Sequence, residues 1–320
     1  MSGTADPDGE GGSTLTIRHA ARLAHRVRAA TAGALALLLA GAAAGCSSGP
    51  PTQATDSGTL IRVVAAENVW GAVAAQIGGA QVQVTDILGT GWTGSTGSTA
   101  AAGSARAEAQ AFEPSAAQTR DIAGAQVFII NGAGLDPWAD EAASAHPGIG
   151  RLDVNIGAQV GVTPGQDPYL WYDPQYVTAA AQQIEQDFAR LRPAGAAYFG
   201  QQEQAFEQNA APAAAASTAL KQDYGGRAVG VCPGLAQSVA TQLGLKPIPA
   251  TTAAIAAKSV KVLLCDTASG DPGEQALLSA AGAAAIPVVQ LGDTLQPAGA
   301  SFQDWLTGQL DEIRQALAGS

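Results

Sequence analysis

Asp167-Pro168-Tyr169-Leu170-Trp171-Tyr172-Asp173-Pro174 sets three aromatic rings, two prolines and two carboxylates into eight consecutive residues. An Ala/Gln-rich helical pattern begins directly afterwards at Gln175. Asp173 is placed to cap that helix and Pro174 to take its first position, where the missing amide hydrogen costs nothing. The stretch therefore reads as a structured loop that launches a helix. In a chain that is only 5% aromatic, such a concentration of rings points either to a cleft wall or to an aromatic plug at a helix N-terminus.

On both sides of this loop, strand and helix alternate. Upstream, residues 60–66 form a short apolar run suited to a buried strand, residues 69–77 have helical spacing closed by Gly78-Gly79, and residues 82–88 are a second strand. A helix begins at Glu113-Pro114-Ser115 and runs to Ile122, and Val127 to Asn131 is a third strand. Downstream, residues 175 to about 219 read as helical, interrupted by Pro193 and Pro212. The alternation then resumes with strands over 227–232, 260–265 and 287–291, helices over 235–243 and 274–281, and a closing amphipathic helix over 302–317. Alternation at this pitch is the pattern of a parallel sheet covered on both faces. The predicted class is α/β: two doubly wound parallel-sheet lobes joined by one long rigid helix, with a cleft between the lobes. Ligands in such sheets sit beyond the carboxyl ends of the strands.

The boundaries follow from composition. Arg18, Arg22, Arg26 and Arg28 precede an apolar run from Ala29 to Ala44, which ends in Ala43-Ala44-Gly45-Cys46. That order describes an export signal over 1–45, because the run is too short for a spanning helix. Cys46 is the expected site of lipid attachment, with ordinary cleavage and secretion as the alternative, and residues 46–59 form a Ser/Gly/Pro/Thr-rich tether. The expected lobes are 60–174 and 223–320, with a linker helix over 175–222. Gly89 to Arg106 is a low-complexity surface insertion. Removing the signal takes away Arg18, Arg22, Arg26 and Arg28 with Asp6, Asp8 and Glu10, and moves the formal charge from −11 to −12. A chain this acidic, without a basic run, is not expected to bind nucleic acid.

Five stretches in order carry a resemblance: Ala65-Ala66-Glu67-Asn68-Val69-Trp70-Gly71, Phe112-Glu113-Pro114-Ser115, Asn131-Gly132-Ala133-Gly134-Leu135-Asp136-Pro137-Trp138, the 167–174 loop, and Asp293-Thr294-Leu295. From about Leu60 to Leu317 the chain resembles the zinc/manganese solute-binding lipoproteins of ABC importers. The resemblance implies an extracytoplasmic protein, anchored to the cell membrane by lipid alone, that passes a small solute or metal ion to an ABC permease and is not an enzyme. It also implies a transition-metal site between the lobes, built from two His, a Glu or His, and a final Asp or Glu.

Carried over position by position, that site is mostly replaced. Gln110 stands at the first His, Tyr169 at the second and Pro233 at the third ligand; Asp293 alone keeps a donor of the family's kind. Of three histidines, His19 and His25 lie in the signal, and His146 precedes a proline in a polar turn. A carboxylate with an amide and a phenol is a poor set for zinc, whose sites use imidazole, thiolate and carboxylate donors. No cofactor is assured; Zn or Mn is the inherited cargo, and Cu a further option. Phe112, Trp171, Cys232 and Cys265 are expected to line the cleft, with a small organic ligand or a metal chelate as alternatives to a bare ion. Glu108, Glu113, Asp167, Asp173 and Asp293 could also crowd one cleft around a hard cation, or serve as caps and solvated acids.

Cys232 and Cys265 each end a predicted strand, and in a doubly wound order those strands are neighbours. A disulfide, two buried thiols, and a thiolate pair acting with Asp293 on a soft metal are all compatible with this placement; the disulfide would contribute about 3–4 kcal/mol. With His146 as the one imidazole outside the signal, no Ser/His/Asp or Cys/His set can be assembled. Asn131-Gly132-Ala133-Gly134 lacks the third glycine of a dinucleotide fingerprint and reads as a turn leaving a strand. If the cleft is idle, the runner-up is a paralogue that binds an organic ligand or an envelope partner.

Overall fold

The structure is a computed structural model that describes residues 59–89, 109–266, 272–297 and 299–320. The export signal, Cys46, most of the tether, Glu108 and the low-complexity tract beyond Gly89 lie outside the described residues. Among the described residues, the first lobe runs β1 (Ile61–Glu67), α1 (Asn68–Gly78), β2 (Val82–Leu88), α2 (Ala116–Gly124), β3 (Val127–Ile130), α3 (Pro137–Ala145), β4 (Leu152–Asn155) and α4 (Ile156–Val160). Its four strands pair in the order β2-β1-β3-β4, every pair parallel. β3 is buried along its whole length, as a central parallel strand must be when helices cover both faces.

The second lobe repeats the design. β5 (Ala228–Val231), α7 (Leu235–Gln242), β6 (Lys246–Pro249), α8 (Thr252–Ala256), β7 (Leu263–Asp266), α9 (Pro272–Ala284), β8 (Val288–Leu291) and α10 (Phe302–Ala318) follow in sequence. The strand order is β6-β5-β7-β8, again all parallel. In both lobes the order reverses beside the first strand, which opens a crevice at the carboxyl ends of β1 and β3 and of β5 and β7.

The linker differs from the expectation of a single helix over 175–222. It is two helices, α5 (Pro174–Leu191) and α6 (Ala196–Tyr224), separated by a 3-10 turn at Pro193–Gly195. Pro193 pushes Arg192 out of helical geometry, to φ −139° and ψ 80°, as a proline does to its predecessor. α5 packs on α1, α4 and β4 and so belongs with the first lobe, leaving the 29-residue α6 as the connector. Pro212 lies inside α6 without ending it. A ladder of rings, Phe206–Phe302, Phe302–Trp305 and Trp305–Tyr172, runs from α6 through α10 to the 167–173 loop.

Candidate functional site

Strand ends supply the site. β1 finishes in Glu67, β3 is followed by Asn131, β7 finishes in Asp266, and Asp293 follows β8 by two residues. Glu67, Asn131 and Asp266 are buried at 5%, 0% and 3% exposure, so each polar group needs a partner or a proton. Asn131 finds partners throughout: its Oδ1 accepts from Trp70 Nε1 at 3.0 Å, and its Nδ2 donates to the carbonyls of Pro168 and Gly132, both at 3.0 Å. One side chain thus ties the aromatic loop to the sheet edge. The turn that follows is left-handed over Gly132, Ala133 and Gly134, and a Cβ on Gly132 would stand 2.2 Å from Asn155 Oδ1. That turn aims the amides of Asn131 and Gly132 at the Asp136 carboxylate, each at 2.8 Å.

Asp136 and Glu67 form a buried carboxyl pair. Burial pushes the Glu67 pKa well up, and the Asp136 charge adds to it. Burial likewise raises Asp136 to about 7, against the downward pull of the Gly132 and Asn131 amides. The two carboxyls lie within hydrogen-bonding reach of each other, a contact that requires one of them to carry a proton. In the second lobe, Asp266 accepts from the amides of Leu235 at 3.3 Å and Ala236 at 3.0 Å, capping α7 from a neighbouring strand. Burial raises it to about 7, with contributions from Asp293 and Glu274. Tyr172 is also raised, by burial first and by Asp293 next. Asp293 therefore lies within electrostatic reach of Glu67, Asp266 and Tyr172, which draws acids from both lobes around one crevice.

Three polar bridges close that crevice. Asn68 and Leu295 exchange side-chain and backbone hydrogen bonds of 3.0 and 2.9 Å. Gln242 Nε2 donates to Asp167 Oδ2 at 2.9 Å and to the Tyr169 carbonyl at 3.1 Å. The Tyr172 hydroxyl lies 2.9 Å from Gln309 Oε1 and 3.0 Å from the Gly292 carbonyl. Beside Asn68 and Leu295 is a cavity of about 490 Å³, lined also by Gly71, Gln76, Val84 and Ser301.

The residues singled out in the sequence fall into three groups. Gln110 is exposed and donates to the Gly134 carbonyl at 2.6 Å. Tyr169 and Trp171 are 1% exposed and pack edge to face, with Trp171 against Trp70 in turn; Phe112 is 6% exposed and packs on Trp138. These rings are enclosed in the core. Pro233 and Glu113 are exposed, while Asp173 caps α5 through the Gln175 amide. The expectation that Cys232 and Cys265 line the cleft is corrected by the pleat. Val231 and Leu264 face the main core, so their neighbours Cys232 and Cys265 turn the other way, into a small apolar cluster with Ile255, Val260, Leu263, Ala281 and Ile286. There the two cysteines form a disulfide with Cα atoms 4.8 Å apart. The sequence reading assigned no role to Glu67, Asp136 or Asp266. The rule that ligands gather at carboxyl ends of strands would have selected Glu67 and Asp266, since each terminates an apolar run.

Residues 63–316 match the family model described as zinc-uptake complex component A, periplasmic (ZnuA). Over 176 residues, 54% of this chain, the sequence is 24% identical to the manganese-binding lipoprotein MntA of Halalkalibacterium halodurans. That match spans 53% of the relative, about half its length. Among solved structures, the fold is similar to the periplasmic zinc-binding protein TroA of Treponema pallidum, with TM-score 0.64, 18% identity and coverage of 81% of this chain and 99% of that one. It is likewise similar to a periplasmic metal-binding protein of Candidatus Liberibacter asiaticus, with TM-score 0.63, 14% identity and coverage of 80% and 99%. At these identities the structural likeness concerns the fold.

Proposed function

The chain belongs to the family of the periplasmic component A of zinc-uptake complexes, and from that premise we propose that it is a lipid-anchored solute-binding protein that holds a divalent metal ion between its lobes and passes it to an ABC permease. The observation that carries this reading is the gathering of acids from both lobes around Asp293 at the carboxyl ends of the strands. Asp293 is the proposed principal ligand, with Glu67 and Asp136 nearest to it in character. Gln110 and Tyr169 occupy the family's ligand positions as secondary donors or as replaced ones. An oxygen-rich set without imidazole suits manganese better than zinc. Cys46 is the proposed anchor, and the role includes no catalysis.

The Glu67–Asp136 proton gives this capture a chemical signature. A carboxylate must shed its proton to ligate, so metal uptake releases protons and weakens as pH falls. The test uses the full chain purified without chelator: metal content, then thermal shift with Mn²⁺ and Zn²⁺ at pH 8 and pH 6. Expected is a stabilisation of about 2.7 kcal/mol at a hundredfold excess of Mn²⁺ over its dissociation constant, smaller at pH 6 and lost in Asp293→Asn. Absence of metal and of any shift with either ion would overturn the proposal in favour of an organic-ligand binder or an envelope interaction protein.

A further inference from the structure

The small apolar cluster of the second lobe contains a donor set that the crevice does not use. The two sulfurs of Cys232 and Cys265 and a carboxylate oxygen of Glu274 all lie within 4.8 Å of one another, and all three residues are buried. The cysteines are 0% exposed and Glu274 6%. Their positions are set by the backbone. Cys232 donates its amide to the Leu264 carbonyl at 2.9 Å, which holds it beside Cys265 on the neighbouring strand. Glu274 projects from the first turn of α9. The packing around the sulfurs is aliphatic, from Ile255, Val260, Leu263, Ala281 and Ile286.

We propose that this disulfide is the closed form of a metal site, and that its reduction opens a Cys232–Cys265–Glu274 centre for a thiophilic divalent cation such as zinc. In the oxidised state the sulfurs are bonded to each other and offer no thiolate. A dithiol or phosphine reductant supplies two electrons, the S–S bond breaks, and two protons leave a pair of thiols. Burial among aliphatic groups disfavours bare thiolates. A divalent cation removes that obstacle by replacing both thiol protons and compensating the two sulfur charges within the cluster. Tetrahedral zinc, with bonds of about 2.3 Å to sulfur and 2.0–2.2 Å to oxygen, places its donors roughly 3.5–3.8 Å apart. Reaching that spacing requires the two sulfurs to move apart once the bond between them is broken. The donors of this site are none of the proposed crevice ligands, so the proposal does not rest on metal capture at Asp293.

The test is a Cd²⁺ titration of the full chain, oxidised and then reduced with a phosphine under nitrogen, following the thiolate-to-cadmium charge-transfer band. Expected is one equivalent of Cd²⁺ bound with that band in the reduced chain, no band in the oxidised chain, and displacement of Zn²⁺ added beforehand. Glu274→Gln should weaken binding by at least about tenfold, the loss known even for partners one shell further out. Cys232→Ser with Cys265→Ser should abolish the band. The far-ultraviolet dichroism of the reduced wild type is recorded alongside, so the answer does not hinge on whether the double variant folds. Absence of the band in reduced folded protein, unchanged affinity in Glu274→Gln, or loss of the folded spectrum on reduction would each overturn the proposal. The band reports sulfur ligation alone, so it is read independently of metal capture at Asp293.

Discussion

At the residue scale, the buried acids make the protein proton-dependent in a direction opposite to that of most carboxylates. Asp136 and Asp266 sit near 7 and Glu67 is raised well above its usual value, all through burial first. A folded-state pKa above the unfolded one means that the native state holds the proton more tightly. Stability from these groups is fully present below the unfolded value near 4 and is lost as pH rises through about 7. For Asp266 alone, a shift from 3.8 to about 7 corresponds to as much as about 4 kcal/mol between those limits, before any compensation. The metal-free protein should therefore show a lower urea midpoint at pH 8 than at pH 5. Glu67→Gln should raise the midpoint at pH 8 and flatten the profile, because an amide can donate to Asp136 without a borrowed proton; a wild-type midpoint that climbs from pH 5 to pH 8 would refute this account. Asp293 comes from the family resemblance, as the carboxylate that follows the last strand, and its role as a ligand is the proposal tested above. Glu67 and Asp136 stand 69 positions apart in sequence, and their pairing is not legible there, since it depends on the left-handed turn at Gly132–Gly134 that carries Asp136 back to the end of β3.

At the element scale, apolar runs announced the strands well, and most of β1, β2, β3, β5, β7 and β8 lay where periodicity placed them. β4 and β6 escaped notice for physical reasons. Leu152–Asn155 is a four-residue edge strand with two polar side chains, and Lys246–Pro249 is an edge strand containing two prolines, tolerated because one side of an edge needs no donors. The linker misled for a related reason, since two prolines that look alike in sequence behave differently. Pro193 lies in the turn between α5 and α6, whereas Pro212 is carried inside an alanine-rich helix that packs on α5 and α10. A proline in a helix interior costs about 3 kcal/mol relative to alanine, so tertiary packing must hold α6 together there. Pro212→Ala should raise stability by about 1–3 kcal/mol, read as a higher urea midpoint with unchanged slope. Ser115→Ala should act oppositely: its hydroxyl and Gln118 form a capping box on α2, and losing it should cost about 1 kcal/mol. A Pro212→Ala variant no more stable than wild type would mean that the proline fits a kink the fold requires.

At the scale of the whole molecule, the question is whether capture of a ligand closes the two lobes, as a hinge would. The packing argues against closure. One contiguous apolar cluster includes Val63, Ile129 and Ile156 of the first lobe, Phe199 and Leu220 of the connector, and Val231, Leu264 and Leu310 of the second. Lobes that share a core lack the small polar interface on which free hinge motion depends. The polar bridges add to this. Asn68 satisfies both the amide and the carbonyl of Leu295 within the protein interior, and removing it strands two buried backbone groups at about 1–3 kcal/mol each. Ligand capture should then proceed through side chains and loops around Asp293 while the lobes stay in place. The radius of gyration from small-angle scattering should be the same for the metal-free chain and for the chain saturated with Mn²⁺. Asn68→Ala should lower the urea midpoint and, by cutting one of the three bridges, give a broader distance distribution between spin labels on the two lobes. A contraction of the wild type on saturation would show that the shared core yields as a hinge, and rigid capture would have to be abandoned.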